Sequence, residues 1–302
     1  MLPFPNEIFT RKLFTVPSLP PRPLPCPREA HLWCIVPDEV KCGSLLNQYL
    51  KILSPCERQA VFRLNGAKLQ KSALLARTLV RTTLSRYTQS KIMPQSLRFS
   101  KNTYGKPQLV WQHEEGWIPP CLHFNISHSS SLVACAVTVD LQVGVDVEDK
   151  QRKLKHDVLS FARRFFSPNE VEFLHGMSDP LIQQQEFVKL WTLKEAYVKA
   201  LGRGFSAAPF RNFTVRHHQA SRIAVEVHSD SENLTENWQF ALLELSTHYA
   251  SICVEKDGEK EGDGNDSLKL KVWKTIPFVE DQCILETDSV VPIIRPRWPR
   301  LT

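Results

Sequence analysis

Three acidic side chains in two short segments have the type and spacing of metal ligands. Residues 143–148 (VGVDVE) alternate strictly, so on a strand Asp146 and Glu148 point to one face, with Cα atoms about 6.6 to 7 Å apart. Magnesium is bound by one or two such carboxylates together with water and substrate phosphate. A strand with a solvated acidic face would show the same alternation, so the pattern alone leaves both interpretations open.

The third acid, Glu195, lies in residues 189–199 (KLWTLKEAYVK), which read as a helix that ends at the glycines 202 and 204. Trp191, Glu195 and Lys199 share one face of that helix at four-residue spacing. An aromatic ring, an acid and a base on one face suit a metal and phosphate site. The alternative is a helix-stabilising pair between Glu195 and Lys199, worth about 0.2 to 0.5 kcal/mol.

Two turns in the first half add groups that bind phosphate. The run 124–131 (FNISHSSS) places His128 where an apolar strand breaks into a hydroxyl-rich turn, whose amides, hydroxyls and imidazole suit an anion. The turn 104–107 (YGKP) presents Lys106. No acidic partner of His128 is evident, so the sequence does not indicate a serine-hydrolase triad.

Positive charge is concentrated in residues 51–100, which hold ten Lys or Arg and one acid, Glu57, for a local net charge of +9. Such a surface suits phosphates or an acidic protein partner, although a run of charge is also typical of a solvated helix face.

The elements that position these residues repeat along the chain. Ser54-Pro55-Cys56-Glu57 has the form of a capping box, and 167–170 (SPNE) repeats it 113 positions later. Long helices are predicted over 68–87 and 185–201, and strands follow each of them. We expect an α+β fold, a pseudodimer of two similar halves with the active site in the cleft between them. Chance is the competing explanation, because this tetrapeptide is short.

The expected divisions are an irregular leader (1–30), an N-terminal half (31–142), a C-terminal half (143–255), and an acidic loop with a last strand and tail (256–302). The strand of the last division is predicted over 268–273.

Composition limits the class of protein. With 302 residues and 42% hydrophobic content, the chain can bury a large core. Its eight cysteines are scattered without zinc-ligand spacing, which favours reduced thiols in an intracellular protein. No apolar run approaches the roughly 20 residues that span a bilayer, and no secretory signal is evident. A cytoplasmic location is slightly favoured, and a mitochondrial presequence within residues 1–30 is the alternative. We expect neither a membrane nor a nucleic-acid partner.

Taken in order, these segments resemble the phosphopantetheinyl transferase superfamily, in its Sfp-like branch of two halves. The resemblance rests on FNISHS, VGVDVE, FFSPNE and KLWTLKEAYVKALGRG, covers about residues 30–255 and is tightest over 101–205. It implies transfer of 4'-phosphopantetheine from coenzyme A to a serine of an apo acyl or peptidyl carrier protein, with release of 3',5'-ADP. The tail strand is similar to that of longer eukaryotic members, which act in fatty-acid synthesis and related pathways.

The resemblance also implies residue roles. Asp146, Glu148 and Glu195 would hold Mg²⁺ on the pyrophosphate of coenzyme A, and Glu195 would also accept the proton of the acceptor serine. Lys199 and His128 would contact the phosphate during catalysis. The coenzyme A contacts that it implies are Arg58, Lys101, Lys106, Asn125, Ser127, His128, Asp146 and Lys199. Arg58, Lys68 and Arg77 remain alternatives for the 3'-phosphate, because Glu57 and Ala60 stand where some relatives have basic contacts.

Two other functions remain as alternatives from the residues. A metal-dependent phosphodiesterase or nuclease could use the same acids beside a basic surface. A catalytically idle module that binds coenzyme A or a carrier would need no chemistry from the acids. Because both capping boxes lie in one chain, we expect a monomer.

Overall fold

The computed structural model describes residues 19–111, 116–154, 157–204, 209–218, 222–227, 238–245, 247–256, 268–287 and 293–294. The leader predicted over 1–30 and the acidic loop after 255 therefore lie largely outside the described residues.

Helices and strands alternate in blocks, which confirms the α+β class. The helices are α1 (Gly43–Ile52), α2 (Pro55–Phe62), α3 (Ala67–Arg86), α4 (Val158–Phe165), α5 (Pro168–His175) and α6 (Pro180–Leu201). The strands are β1 (Glu29–Ile35), β2 (Arg98–Lys101), β3 (Pro107–Val110), β4 (Leu122–His128), β5 (Val133–Val139), β6 (Val143–Asp149), β7 (Phe213–His218), β8 (Arg222–Val227), β9 (Trp238–Glu244), β10 (His248–Glu255), β11 (Lys269–Ile276), β12 (Glu280–Thr287) and β13 (Ile293–Ile294).

Two sheets packed face to face join the halves. The first sheet has the order β12-β11-β1-β5-β4, and the second has the order β13-β9-β10-β6. Alternate residues of both sheets, among them Leu32, Ala134, Val145 and Ile252, form a shared core between them. The opposite face of the first sheet packs against α1 and α3, and that of the second packs against α6. The molecule is therefore layered as helices, sheet, sheet and helices.

Both predicted capping boxes are present and start helices of equal length. The Ser54 side chain accepts from the amide of Glu57, and the Glu57 carboxylate accepts from the amide of Ser54; Ser167 and Glu170 make the same reciprocal pair.

The repeat extends to an ion pair that the sequence pattern did not predict. Glu57 binds Arg81 of α3, and Glu170 binds Lys194 of α6, each cation lying 24 residues after its glutamate. In both halves the capping glutamate thus ties the short helix to the long one, which favours duplication of one unit over chance.

Strands β11 and β12 belong to the sheet of the first half. Strand β11 pairs in parallel with β1, from Glu29 with Lys269 to Cys34 with Lys274, and β12 closes the edge in antiparallel. The strand predicted over 268–273 is found, and it runs on to Ile276. Its position beside β1 is set by a pairing between chain ends that no local pattern encodes.

Gly144 allows α6 to lie directly on β6. A Cβ atom at this position would overlap the carbonyl oxygen of Ala196 and the amide nitrogen of Ala200. The absence of a side chain brings the helix that carries Glu195 and Lys199 close to the strand that carries Asp146.

Candidate active site

Asp146 lies at the junction of the halves and is only 4% exposed. Its Oδ1 accepts hydrogen bonds from Ser127 Oγ of β4 at 2.8 Å and from Lys199 Nζ of α6 at 2.6 Å. Its Oδ2 is buried and has no hydrogen-bond partner. The interpretation of this strand as one with a solvated acidic face is wrong for Asp146, because β4 and α6 cover that face of β6.

The side chain of Lys199 contacts residues of strands β4 and β6, outside its own helix. Its ammonium contacts Asp146 Oδ1 and, at 3.1 Å, Ser127 Oγ. The structure therefore favours a site that includes Lys199 over a simple pair between Glu195 and Lys199.

Glu148 follows Asp146 on the same face of β6 and is bound by a residue that the sequence pattern did not single out. Arg152 Nη1 lies 2.5 Å from Glu148 Oε1, and its guanidinium stacks on the ring of Trp191 at 5.1 Å. Burial, together with the nearby charge of Asp146, raises the pKa of Glu148 to about 7. No local signal marks Arg152, since it follows the strand in a turn.

Glu195 stands one helical turn before Lys199 and faces the same junction. Burial raises the pKa of its carboxyl group, the charge of Lys199 lowers it, and the charge of Asp146 raises it again, for a net increase. A carboxylate with a raised pKa is a better proton acceptor than an exposed one. Trp191, one turn earlier, belongs to an aromatic cluster with Phe161, Phe165, Phe166, Phe187 and Phe210.

Of the three acids, Asp146 offers a hard divalent cation a buried oxygen without a partner. The orphaned Oδ2 of Asp146 and the raised pKa values of Glu148 and Glu195 indicate buried negative charge that is only partly compensated. Within the described ranges, no three His, Cys, Asp or Glu side chains form a ready metal cluster. The ammonium of Lys199 contacts Asp146, and the guanidinium of Arg152 contacts Glu148.

The turn after β4 is held beside this site by a histidine of the second half. Ser129 Oγ and Ser131 Oγ lie 2.8 and 3.2 Å from Nε2 of the buried His248. His128, the last residue of β4, is exposed. The junction thus brings Ser127 of the first half into contact with Asp146 and Lys199 of the second, and His128 is the next residue along β4.

Two of the predicted coenzyme A contacts are buried in the strand junction. Asn125 is 5% exposed and accepts from the amide of Val145, and Ser127 is 6% exposed and bonds to Asp146, Val147 and Lys199. Asn125 Oδ1 faces β6, and the Ser127 hydroxyl faces β6 and α6. Their assignment as coenzyme A contacts stays a prediction.

The predicted basic contacts divide into exposed and anchored groups. Lys101 and Lys68 are exposed. The ammonium of Lys106 donates to Gln142 Oε1, to the carbonyl of Val143 and to the carbonyl of Ala200, and burial lowers the pKa of Lys106 to about 8.

Two arginines are anchored in the same way as Lys106. The guanidinium of Arg58 donates to the carbonyl oxygens of Leu50 and Leu53, and that of Arg77 donates to the carbonyl of Ala73. None of these groups lies among the contacts of Asp146.

Comparison with known proteins identifies the family of the chain. A family model described as "4'-phosphopantetheinyl transferase superfamily" matches residues 142–253, and one described as "4'-phosphopantetheinyl transferase, N-terminal" matches residues 42–140. The 4'-phosphopantetheinyl transferase Sfp of Bacillus subtilis is 36% identical over 183 residues, which cover 60% of this chain and 73% of that protein. The chain belongs to the 4'-phosphopantetheinyl transferase superfamily.

Two further matches have lower sequence identity. The L-aminoadipate-semialdehyde dehydrogenase-phosphopantetheinyl transferase of Homo sapiens is 23% identical over 260 residues, covering 78% of this chain and 81% of that protein. A holo-[acyl-carrier-protein] synthase from Thermotoga maritima aligns with 51% of this chain and 98% of its own, at 18% identity and a TM-score of 0.31. The resemblance to the Sfp-like branch is confirmed, and with it the prediction of a phosphopantetheinyl transferase activity.

Proposed function

We propose that this protein transfers 4'-phosphopantetheine from coenzyme A to a serine of an apo acyl or peptidyl carrier protein and depends on Mg²⁺. The observation that carries the proposal is the electrostatic proximity of three acids in a chain of this family: the charge of Asp146 raises the pKa of both Glu148 and Glu195, and Glu195 raises that of Glu148. The lone buried Oδ2 of Asp146 is an acceptor that a cation would satisfy.

Each group of the site has a part in phosphoryl transfer. Asp146, Glu148 and Glu195 would hold the metal ion, which when bound neutralises charge on the phosphoryl oxygens. Glu195 accepts the proton of the carrier serine as the serine oxygen attacks the β-phosphate of coenzyme A. The bond from that phosphorus to the leaving oxygen breaks, and 3',5'-ADP departs. Lys199 and His128 donate to the oxygens on which charge develops.

Coenzyme A would meet basic groups along the first half. Lys101 and His128 are exposed and free to approach phosphate oxygens. Arg58 and Lys106 also remain candidates, although their bonds to carbonyl oxygens must be given up or shared when the nucleotide binds. Lys68 and Arg77 are the alternatives to Arg58 for the 3'-phosphate.

The acceptor is an acidic carrier protein, matched to the positive charge of residues 51–100. All eight cysteines are free, which supports an intracellular location, the cytoplasm ahead of the mitochondrion. No described helix combines the length and apolar character needed to span a bilayer. Since both halves lie in one chain, we propose a monomer, and an obligate oligomer in light scattering would contradict this.

Mass spectrometry of apo carrier proteins tests the function. Purified protein is incubated with coenzyme A, Mg²⁺ and several apo carriers, and the expected result is a carrier heavier by one phosphopantetheine group, lost when Mg²⁺ is chelated. The Asp146→Asn protein is the matched control. Absence of a mass shift on every carrier, with cleavage of nucleic acid instead, would favour the phosphodiesterase alternative.

A further inference from the structure

Strands β4 and β6 are edge strands of different sheets that run side by side without a backbone ladder. Two side chains of β4 take the place of the missing ladder. Asn125 Oδ1 accepts from the amide of Val145 at 3.0 Å, and Ser127 Oγ accepts from the amide of Val147 at 3.3 Å. The two-residue spacing on both strands lets one face of β4 satisfy successive amides of β6 that point away from β10.

Ser127 uses its whole hydrogen-bonding capacity in this junction. Its hydroxyl donates to Asp146 Oδ1 at 2.8 Å and accepts from the amide of Val147 and from Lys199 Nζ at 3.1 Å. A serine hydroxyl has one donor and two acceptor sites. All three are filled by the protein, so the group has none left for a nucleotide.

These bonds decide which oxygen of Asp146 is available. Oδ1 is taken by Ser127 and Lys199, whereas Oδ2 is buried and has no partner. We propose that Ser127 is a positioning residue that joins β4 to β6 and turns Oδ2 of Asp146 toward the metal ion. Asn125 holds the same two strands in register one pleat earlier. The inference rests on the proposed function, because it takes Asp146 to be a metal ligand.

The expected size of the effect follows from how metal ligands are supported. A hydrogen-bonding partner of a ligating carboxylate typically contributes about 10- to 100-fold in metal affinity. Loss of the Ser127 hydroxyl would free Asp146 to rotate about its side-chain bonds and would leave the amide of Val147 without an acceptor. Metal affinity should therefore fall, while nucleotide binding in the absence of metal should not change.

The test compares Ser127→Ala with Ser127→Thr, which keeps the hydroxyl, and with Ser251→Ala as a matched control. Ser251 pairs with Asp146 from the other side, on β10, is fully buried, and its hydroxyl has no partner. Mn²⁺ binding is measured by electron paramagnetic resonance at saturating coenzyme A. Coenzyme A binding is measured by calorimetry in the presence of a chelator, and kcat and the KM for Mg²⁺ are measured on an apo carrier.

We expect Ser127→Ala to weaken Mn²⁺ binding by about 10- to 100-fold and to raise the KM for Mg²⁺ by a similar factor. Ser127→Thr should restore most of the affinity, and Ser251→Ala should match the wild-type protein. If the Ala protein does not fold, Ser127→Cys, with its weaker hydrogen bonds, should show an intermediate loss.

Two results would overturn the inference while the proposed function stands. The first is an Mn²⁺ affinity that is unchanged in Ser127→Ala or in Ser127→Cys. The second is weaker binding of coenzyme A to the variant in the presence of the chelator, which would make Ser127 a nucleotide contact. A wild-type protein that takes up no Mn²⁺ with coenzyme A would remove the metal from the proposed function, and the inference would fall with it.

Discussion

Replacement of Asp281 by Asn should weaken the contact between the C-terminal hairpin, formed by β11 and β12, and helix α3 of the first half. The carboxylate of Asp281 binds Arg86 of α3 through two hydrogen bonds, at 2.6 and 2.9 Å. It also accepts from Arg22 at 3.1 Å and from Thr275 Oγ1 at 2.7 Å. The side chains of Asp281 and Arg86 are only 7% and 2% exposed, so solvent cannot replace the lost charge.

The magnitude follows from the burial of the pair. Removal of one partner of a buried ion pair costs about 3 to 5 kcal/mol, because the other charge is left buried and uncompensated. Asn keeps the shape of the side chain and one oxygen acceptor, so we place Asp281→Asn at the lower end, about 3 kcal/mol. At roughly 2 to 4 °C for each kcal/mol, this lowers the melting temperature by roughly 6 to 12 °C.

Circular dichroism melts of the full chain measure this shift. Glu280→Gln is the matched control, because Glu280 is the exposed neighbour of Asp281 and its loss should change stability by less than about 0.5 kcal/mol. The double variant Arg86→Met with Asp281→Leu removes both charges and should recover much of the stability. If Asp281→Asn melted with the wild-type protein, the hairpin would not be held by this pair and the reasoning would be refuted.

Three further predictions concern the site. Asp146→Asn should abolish carrier modification and keep the wild-type circular dichroism spectrum, and a modified carrier with this variant would contradict the metal assignment. Glu195→Gln should lower kcat by about 10²- to 10⁴-fold with partial recovery at high pH, whereas an unchanged kcat at saturating substrates would remove Glu195 from the chemistry. Gly144→Ala should lower the free energy of unfolding in urea by about 1 to 3 kcal/mol and should lower activity, because its Cβ meets the backbone of α6. A variant as stable as the wild-type protein would show that the helix can move away.

Local signals predicted local structure well. The capping boxes at Ser54 and Ser167 start helices where the tetrapeptide places them, because the reciprocal bonds span only three residues. The helix predicted over 185–201 begins earlier, at Pro180, since Asp179 caps it and proline suits its first turn. The helix Val158–Phe165 was missed, because it is only eight residues long and most of its side chains lie at least partly open to solvent.

The strand alternation of residues 143–148 predicted that Asp146 and Glu148 share a face, but not what covers that face. Burial of Asp146 depends on β4 and α6, which lie about 20 residues before it and 50 after it in the chain. The same limit explains why the sequence does not predict the contact of Ser127 with Asp146 or that of Arg152 with Glu148. The first joins two strands of different sheets, and the second depends on how the chain turns after β6.

The repeat itself explains why the described residues hold one such candidate site rather than one in each half. The offset that relates the capping boxes and the ion pairs Glu57–Arg81 and Glu170–Lys194 also relates Lys199 to Arg86. Lys199 meets Asp146 of its own half, on β6.

The same offset relates Asp146 to Trp33 on β1. The first half therefore has an indole, not a carboxylate, at the position that would pair with Arg86. The C-terminal hairpin supplies Asp281 instead, and it binds Arg86 and Arg22 together. Without Asp281, the buried charge of Arg86 would destabilise the first half. Both carboxylate oxygens of Asp281 already accept hydrogen bonds from protein groups, so neither is left for a metal ion. Hairpin β11–β12 thus forms a structural ion pair with Arg86, the residue at the position equivalent to Lys199. The proposed chemistry is then confined to the junction at Asp146.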